Sequence, residues 1–226
     1  MIKYAPSRYV HLLHSLGCTR VGTLYDFRRT EHQRGISDPQ EGKKQVHYST
    51  QPFYARSTND PEVQGHPDFR ALEEFGAIHF DNCAHVYIGD VHLSREFDVP
   101  DCFIYCVSQN VVDDLYTEFG DADCRVAIQN SKQFFRLLTI ALHSIRPVRF
   151  KGLFGVQYRL REEAWNGKDW GAHPCLIKEP QYLHQAEARA IWEPIGPGPI
   201  SPVVVGHKEI PGHVGIPEPR VSTCDA

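Results

Sequence analysis

Three polar side chains alternate with alanines late in the chain, in the stretch LHQAEARAIW at residues 183–192. Residues two apart in an extended strand point to the same face, so Gln185, Glu187 and Arg189 are predicted to share one face. A carboxylate in such a row can stabilise a developing positive charge, and an arginine can bind a phosphate through paired hydrogen bonds. The structural alternative is that Glu187 and Arg189 simply pair at a sheet edge, which contributes at most about 1 kcal/mol if the pair is exposed.

Polar residues also end two earlier stretches that are typical of strands. The first, GTLYDFRR at 22–29, finishes with Arg28 and Arg29, and the second, FIYCVSQ at 103–109, contains Ser108 near its end. Along the chain the order is therefore arginine, serine and then a Gln-x-Glu motif. These residues form the candidate site.

The elements that position them follow from capping and periodicity. Helix caps and helix-ending glycines predict helices at residues 8–16, 68–75, 109–119 and 132–144. Strand-like runs lie between these helices and dominate the second half without regular strand–helix alternation. We therefore predict an α+β fold around a central mixed or mainly antiparallel sheet, with residues 1–193 as a single domain. The proline- and glycine-rich residues 194–226 are predicted to pack on that domain as an edge strand and extended coil.

The order of the candidate residues resembles the ADP-ribosyltransferase superfamily. The opening, a short strand MIKYAP, a helix and then TRVGTLYDFRR, is similar to the entry of bacterial DNA-modifying ADP-ribosyltransferase toxins. Two further features resemble uncharacterised prophage and defence-island proteins. One is the stretch SDPQEG at 37–42, and the other is a set of late residues: Lys178, Glu187, Arg189 and Trp192. The resemblance implies a split, mostly antiparallel sheet around a cleft. The chain departs in two ways from the arginine–serine–glutamate type of this superfamily. That type has Ser-Thr-Ser where this chain has one serine, and it has an arginine in the first strand, which this chain lacks.

The resemblance also implies NAD as a cosubstrate and a role for each residue. Breaking the nicotinamide–ribose bond builds positive charge on the sugar, as in glycoside hydrolysis. Glu187 would oppose that charge, Gln185 would orient the acceptor, and Ser108 would bind the ribose or hold the glutamate. Arg28 or Arg29 would bind the pyrophosphate. The acceptor would be a nucleic acid or a protein, in a conflict between phage and host.

Composition narrows the classes of protein. The formal net charge is −4 and the chain has no basic run, so dedicated binding to duplex nucleic acid is not indicated. No apolar stretch is long enough to span a bilayer and no secretion signal opens the chain, so we expect a cytoplasmic protein. The seven cysteines are an odd number without a signal peptide, which predicts reduced thiols.

Two other interpretations remain open. In the first, the chain is a non-catalytic recognition or regulatory module of a prophage or defence system. The long loops at 28–45 and 49–68 would then contact the partner, and aromatic side chains would stack on bases; these are Phe53, Tyr54, Trp165 and Trp170. In the second, the chain is a metal-dependent hydrolase that uses His79, Asp81, Cys83, His85 and His92 with His173 or His184. Those residues show no HExxH or similar spacing, so no metal is predicted.

Overall fold

The computed structural model describes residues 1–29, 38–79, 81 and 83–220. The helices are α1 (Ser7–Leu16), α2 (Leu24–Phe27), α3 (Pro61–Gln64), α4 (Pro67–Glu74), α5 (Leu115–Glu118) and α6 (Ser131–Ile145). The first eight strands are β1 (Ile2–Ala5), β2 (Cys18–Thr23), β3 (Lys43–Ser49), β4 (Phe53–Ser57), β5 (Ala84–Ile88), β6 (His92–Asp98), β7 (Phe103–Ser108) and β8 (Cys124–Ala127). The others are β9 (Val148–Gly155), β10 (Gln157–Tyr158), β11 (Glu162–Ala164), β12 (Ile177–Lys178), β13 (Glu187–Pro194), β14 (Val203–Gly206) and β15 (Glu218–Pro219). The predicted α+β class is confirmed.

The main sheet is antiparallel and is built around β7. One edge of β7 pairs with β13 along six residues, and β13 pairs in turn with β9. The other edge of β7 is divided, because β2 pairs with Phe103 and Ile104 while β1 pairs with Ser108. Beyond these strands lie β14 on one side and β8 and β15 on the other. Parallel pairs occur in the smaller sheets, where β11 joins β3 and β10 joins β12.

The alternation of β7 and β13 gives the main sheet two different faces. Alternate residues of the two strands enter the largest apolar core, which α1 and α6 cover; these residues are Phe103, Tyr105, Val107, Ala188, Ala190 and Trp192. The indole nitrogen of Trp192 donates to the Thr139 hydroxyl of α6 at 2.7 Å. The intervening residues point to the opposite face and include Ser108, Glu187 and Arg189. Burial of the alanines thus fixes the face on which the polar side chains lie.

A second apolar cluster lies among β3, β5, β6 and α4. It buries Val46, Leu72, Ile88, Leu93 and Trp165, and Trp170 packs against it. Trp165 also meets Tyr48 and Phe75 edge to face. Both tryptophans therefore contribute to packing in this cluster.

The chain after Pro194 contributes to the main core. Its strand β14 pairs with β2 at one edge of the sheet. Beyond that strand, Ile210 and Val214 are buried in the same core as α1 and α6. The 3₁₀ helix Ile210–His213 lies close to Gly17, the residue that ends α1 in a left-handed conformation with φ 68°.

Two predicted elements differ from the observed ones. The strand that should have carried Arg28 and Arg29 ends at Thr23, because the Thr23 hydroxyl accepts from the Asp26 amide and starts α2. The helix predicted at 109–119 is limited to α5. In both places local capping or turn geometry outweighs the longer apolar pattern.

Candidate functional site

The candidate site lies where β13 begins beside the end of β7. Glu187 is the direct cross-strand partner of Ser108. The Ser108 hydroxyl donates to the backbone carbonyl of Gln185 at 2.8 Å. The structure thus brings together the serine and the Gln-x-Glu motif that the sequence singles out.

Gln185 reaches this point by a different route from the predicted one. It ends the 3₁₀ helix Pro180–Gln185, and Ala186 after it is left-handed with φ 43°, so the strand begins only at Glu187. The expectation that Gln185 and Glu187 share a face because both lie on one strand is therefore wrong. Their side chains converge instead on one cation, since the ammonium of Lys178 donates to Gln185 Oε1 at 2.5 Å and to Glu187 Oε2 at 2.9 Å.

Arg189 binds two carboxylates at once. Its Nε donates to Glu187 Oε1 at 2.7 Å, while its two terminal nitrogens meet the oxygens of Glu41 at 2.5 and 3.1 Å. The same guanidinium donates to the backbone carbonyl of Cys175 at 2.6 Å. We call Glu41, Lys178, Gln185, Glu187 and Arg189 the buried polar cluster, since each side chain lies almost wholly away from solvent.

The charges of the buried polar cluster decide its protonation. Burial by itself would raise the pKa of the Glu187 carboxyl, but Arg189 and Lys178 outweigh burial and hold that pKa far below its ordinary value of 4.5. Burial would likewise lower the pKa of Lys178, yet the Glu187 charge leaves it raised. Glu187 is therefore a carboxylate, and both of its oxygens are engaged by cations.

A further basic side chain, Lys3, lies on the divided edge of β7. Its Nζ atom donates to the Cys106 carbonyl at 3.0 Å and lies 4.6 Å from the centre of the Tyr105 ring. Burial lowers the pKa of Lys3, against the attraction of Cys106 and Glu187. Sequence reasoning missed Lys3, although a lysine inside the strand-like stretch MIKYAP is a visible signal.

The amide of Gln185 connects the buried polar cluster to the surface. Its nitrogen donates to Glu118 Oε1 at 2.7 Å, and the other oxygen of Glu118 lies 2.6 Å from the Nε2 atom of His184. The His184 side chain is 46% exposed. Glu118 was not predicted as a site residue, because nothing local links α5 to residue 185.

The two arginines that were predicted to bind phosphate have different surroundings. Arg28 donates from Nε to the Glu41 carbonyl at 2.7 Å, pairs with Asp98 at 2.6 Å and stacks over Tyr25. Its contact with the buried polar cluster is thus to the backbone of Glu41. Arg29 is exposed. The arginine that contacts Glu187 is Arg189, as its place two residues further along the strand suggested.

The histidine-rich stretch has the following geometry. His85 lies on β5 with a left-handed φ of 56°, and its ring contacts Tyr54. His92 begins β6 and faces Ser49. Among residues 1–29, 38–79, 81 and 83–220, no group of three or more histidine, cysteine or carboxylate side chains is arranged to hold a metal ion. In the same described residues, no helix is both long and apolar enough to cross a membrane.

Comparisons with protein-family models, with curated proteins and with solved structures find no match to this chain. The proposed function therefore depends on the site itself.

Proposed function

We propose that the chain is an NAD-dependent ADP-ribosyltransferase that acts on a nucleic-acid or protein acceptor in a conflict between phage and host. One observation carries the proposal. The Glu187 carboxylate, held ionised by its neighbours, lies next to Ser108 in the sheet and shares Lys178 with Gln185. The serine and the Gln-x-Glu motif of the resemblance are thus neighbours, while Arg28, which the resemblance also uses, is held by the Glu41 carbonyl and Asp98.

The electrostatics of Glu187 suit the proposed reaction. Cleavage of the bond between nicotinamide and ribose leaves positive charge on the sugar, which a fixed carboxylate stabilises more in the transition state than in the ground state. Because its pKa lies far below 4.5, Glu187 keeps its negative charge at neutral pH. Its position at the start of a buried strand also limits its movement, so it need not reorganise as charge develops.

The proposed reaction requires one contact of Glu187 to be exchanged. Arg189 and Lys178 occupy its two oxygens, at 2.7 and 2.9 Å. Arg189 is held on its other side by the charged carboxylate of Glu41, whereas the second partner of Lys178 is the neutral amide of Gln185. We assign the exchange to Lys178, whose place on Oε2 a ribose hydroxyl would take.

The other roles follow from the contacts of each residue. Ser108 holds the carbonyl of Gln185, which supports a positioning role for the serine. Binding of the pyrophosphate by Arg28 or Arg29 stays a prediction. Its test is kinetic, since Arg28→Ala or Arg29→Ala should raise the KM for NAD more than it lowers kcat.

The central experiment follows NAD consumption and transfer of labelled ADP-ribose to DNA, RNA or cell extract. Glu187→Gln keeps the shape and removes the charge, so the rate should fall about a hundred- to a thousandfold. Glu193→Gln is the matched control, because Glu193 lies on the same strand but is half-exposed and pairs with Lys151. If the wild type neither consumes NAD nor transfers label, or if Glu187→Gln retains full activity, the proposal is wrong.

A second candidate, the recognition module, is favoured by a different surface. Tyr54 and Tyr87 are directly paired across β4 and β5 and are 55% and 69% exposed. Exposed Arg56 lies on the same ribbon, whose two strands contain no acidic residue. The two tryptophans proposed for stacking instead lie in the second apolar cluster. Fluorescence anisotropy with single-stranded oligonucleotides tests this candidate, with binding expected to weaken in Tyr54→Ala and Tyr87→Ala but not in Tyr9→Ala.

A further inference from the structure

Two cysteines meet beneath the buried polar cluster, although they are far apart in sequence. Cys102 lies just before β7, and Cys175 lies in the 3₁₀ helix Pro174–Leu176. Both side chains are in one apolar cluster with Leu24, Ile104 and Ile191, and they are 4% and 0% exposed. Each thiol is the strongest influence on the pKa of the other, as expected for two sulfurs that are neighbours in this small cluster. Neither cysteine forms a disulfide in this structure.

The surroundings of the two thiols make one of them nucleophilic. The Cys102 thiol lowers the pKa of Cys175 against the effect of burial, and His173 and Arg189 lower it further. Cys175 in turn raises the pKa of Cys102, to which burial and the neighbouring Asp101 also contribute. Cys175 is therefore the more acidic thiol of the pair, and the more acidic of two neighbouring thiols is the one that supplies the attacking thiolate.

We propose that Cys102 and Cys175 are a redox-reactive pair that a small hydroperoxide oxidises to a disulfide. The Cys175 thiolate attacks one peroxide oxygen, the O–O bond breaks, and hydroxide leaves and takes up a proton to form water. The resulting sulfenic acid is attacked by the sulfur of Cys102, which forms the S–S bond and releases a second water. Two thiols are thus oxidised by two electrons while one hydrogen peroxide is reduced to two waters.

The burial of the pair determines which oxidants can react. A charged or bulky disulfide such as oxidised glutathione cannot reach two sulfurs that lie inside an apolar cluster, whereas uncharged hydrogen peroxide is little larger than water. Cys18 and Cys83 are partly exposed and contact backbone carbonyls, while Cys106 packs at the edge of the same apolar cluster with Glu187 and Arg189 beside its thiol. The pair should therefore differ from them by forming an intramolecular cross-link.

The cross-link would act directly on the buried polar cluster. The backbone carbonyl of Cys175 accepts a hydrogen bond from Arg189, which in turn holds Glu187 and Glu41. Drawing Cys175 toward Cys102 changes the position of that carbonyl, and so oxidation is coupled to the geometry around Glu187. The redox chemistry itself does not depend on the proposed transferase activity.

Peptide mapping of the wild-type protein tests the proposal. The folded protein is treated with hydrogen peroxide at neutral pH, unfolded, alkylated and digested without reductant. We expect the Cys102 peptide joined to the Cys175 peptide, 2 Da below the sum of their masses, and released by dithiothreitol. If both cysteines are recovered alkylated while Cys83 is oxidised, or if either cross-links to another cysteine instead, the proposal is overturned.

Variants identify the attacking sulfur. Cys102→Ser keeps a polar hydroxyl beside Cys175, so after peroxide treatment and unfolding in the presence of dimedone Cys175 should be recovered as the dimedone adduct of its sulfenic acid. Cys175→Ala should abolish oxidation at position 102. Cys124→Ala is the matched control, because Cys124 is also buried but lies in the main core, and the cross-link should form as in the wild type. Trapping of dimedone at Cys102 in place of Cys175 would contradict the assigned order of attack.

Discussion

Charges of opposite sign alternate through the buried polar cluster, from Glu41 to Arg189, Glu187 and Lys178. Removing one member of such a series leaves its partners charged in a medium that solvates them poorly, which costs more than the lost attraction alone. The cluster therefore holds Glu187 in one orientation, but substitution of any one member should destabilise the fold. Each member is best tested for stability and for activity separately.

Arg189→Ala should reduce stability strongly. It removes the cation that binds the buried Glu41 carboxylate and one of the two that bind Glu187, and breaking a buried pair in this way costs about 3–5 kcal/mol. The measurement is urea denaturation at neutral pH. Arg136→Ala, at an exposed position of α6, serves as control and should change the free energy of unfolding by less than about 0.5 kcal/mol. Equal effects of the two substitutions would contradict the assigned role of Arg189.

The lowered pKa of Glu187 predicts a pH dependence of stability. The folded pKa lies below the ordinary value of 4.5, so the contribution of this carboxylate is fully present above about pH 4.5 and is lost as the pH falls toward the folded pKa. The free energy of unfolding should therefore decrease more steeply below pH 4.5 in the wild type than in Glu187→Gln. Glu193→Gln should follow the wild type. Parallel curves for wild type and Glu187→Gln would show that the carboxyl is not held ionised.

The join between α1 and the C-terminal residues depends on one glycine. A Cβ added at Gly17 would lie 2.2 Å from the carbonyl oxygen of His207, in addition to the strain of its left-handed backbone. Gly76 also has φ 68°, but a Cβ there meets nothing within 4 Å. Both alanine substitutions should cost the left-handed penalty of about 1–2 kcal/mol, and Gly17→Ala should cost clearly more. Thermal unfolding of the two variants measures the difference, and equal melting temperatures would contradict the close packing.

Elements fixed by contacts between residues close in sequence could be predicted, whereas features fixed by contacts between distant residues could not. Alternation along β13 placed Glu187 and Arg189 on one face and buried Ala188 and Ala190 on the other, because a strand and its two faces are local properties. The left-handed Ala186 and the Thr23 cap are also local. Alanine gives little sign of the first, whereas threonine is a preferred N-cap residue and the second signal was hidden by the longer apolar run. The partners Glu41 and Glu118 come from distant loops and helices. No spacing in the sequence encodes those contacts, which only the packed sheet creates.

Over the whole molecule, the residues after Pro194 complete the core. Ile210 is fully buried against α1 and α6, while Ile216, six residues later, is 78% exposed. Ile210→Ala should destabilise the entire domain by about 2–5 kcal/mol, and Ile216→Ala should be nearly neutral. Chemical denaturation followed by both tryptophan fluorescence and circular dichroism checks this prediction. A loss confined to one probe would indicate that the C-terminal residues unfold separately.

The position of β7 at the centre of the main sheet has a consequence for how the protein is made. Its neighbours on one edge, β1 and β2, leave the ribosome before it, but β13, which covers the whole of the other edge, is translated about eighty residues later. Until then the apolar strand has an open edge that can pair with other chains. The nascent chain is therefore most prone to aggregate while residues 109–186 are being synthesised, and slowing translation in that interval should increase its dependence on chaperones.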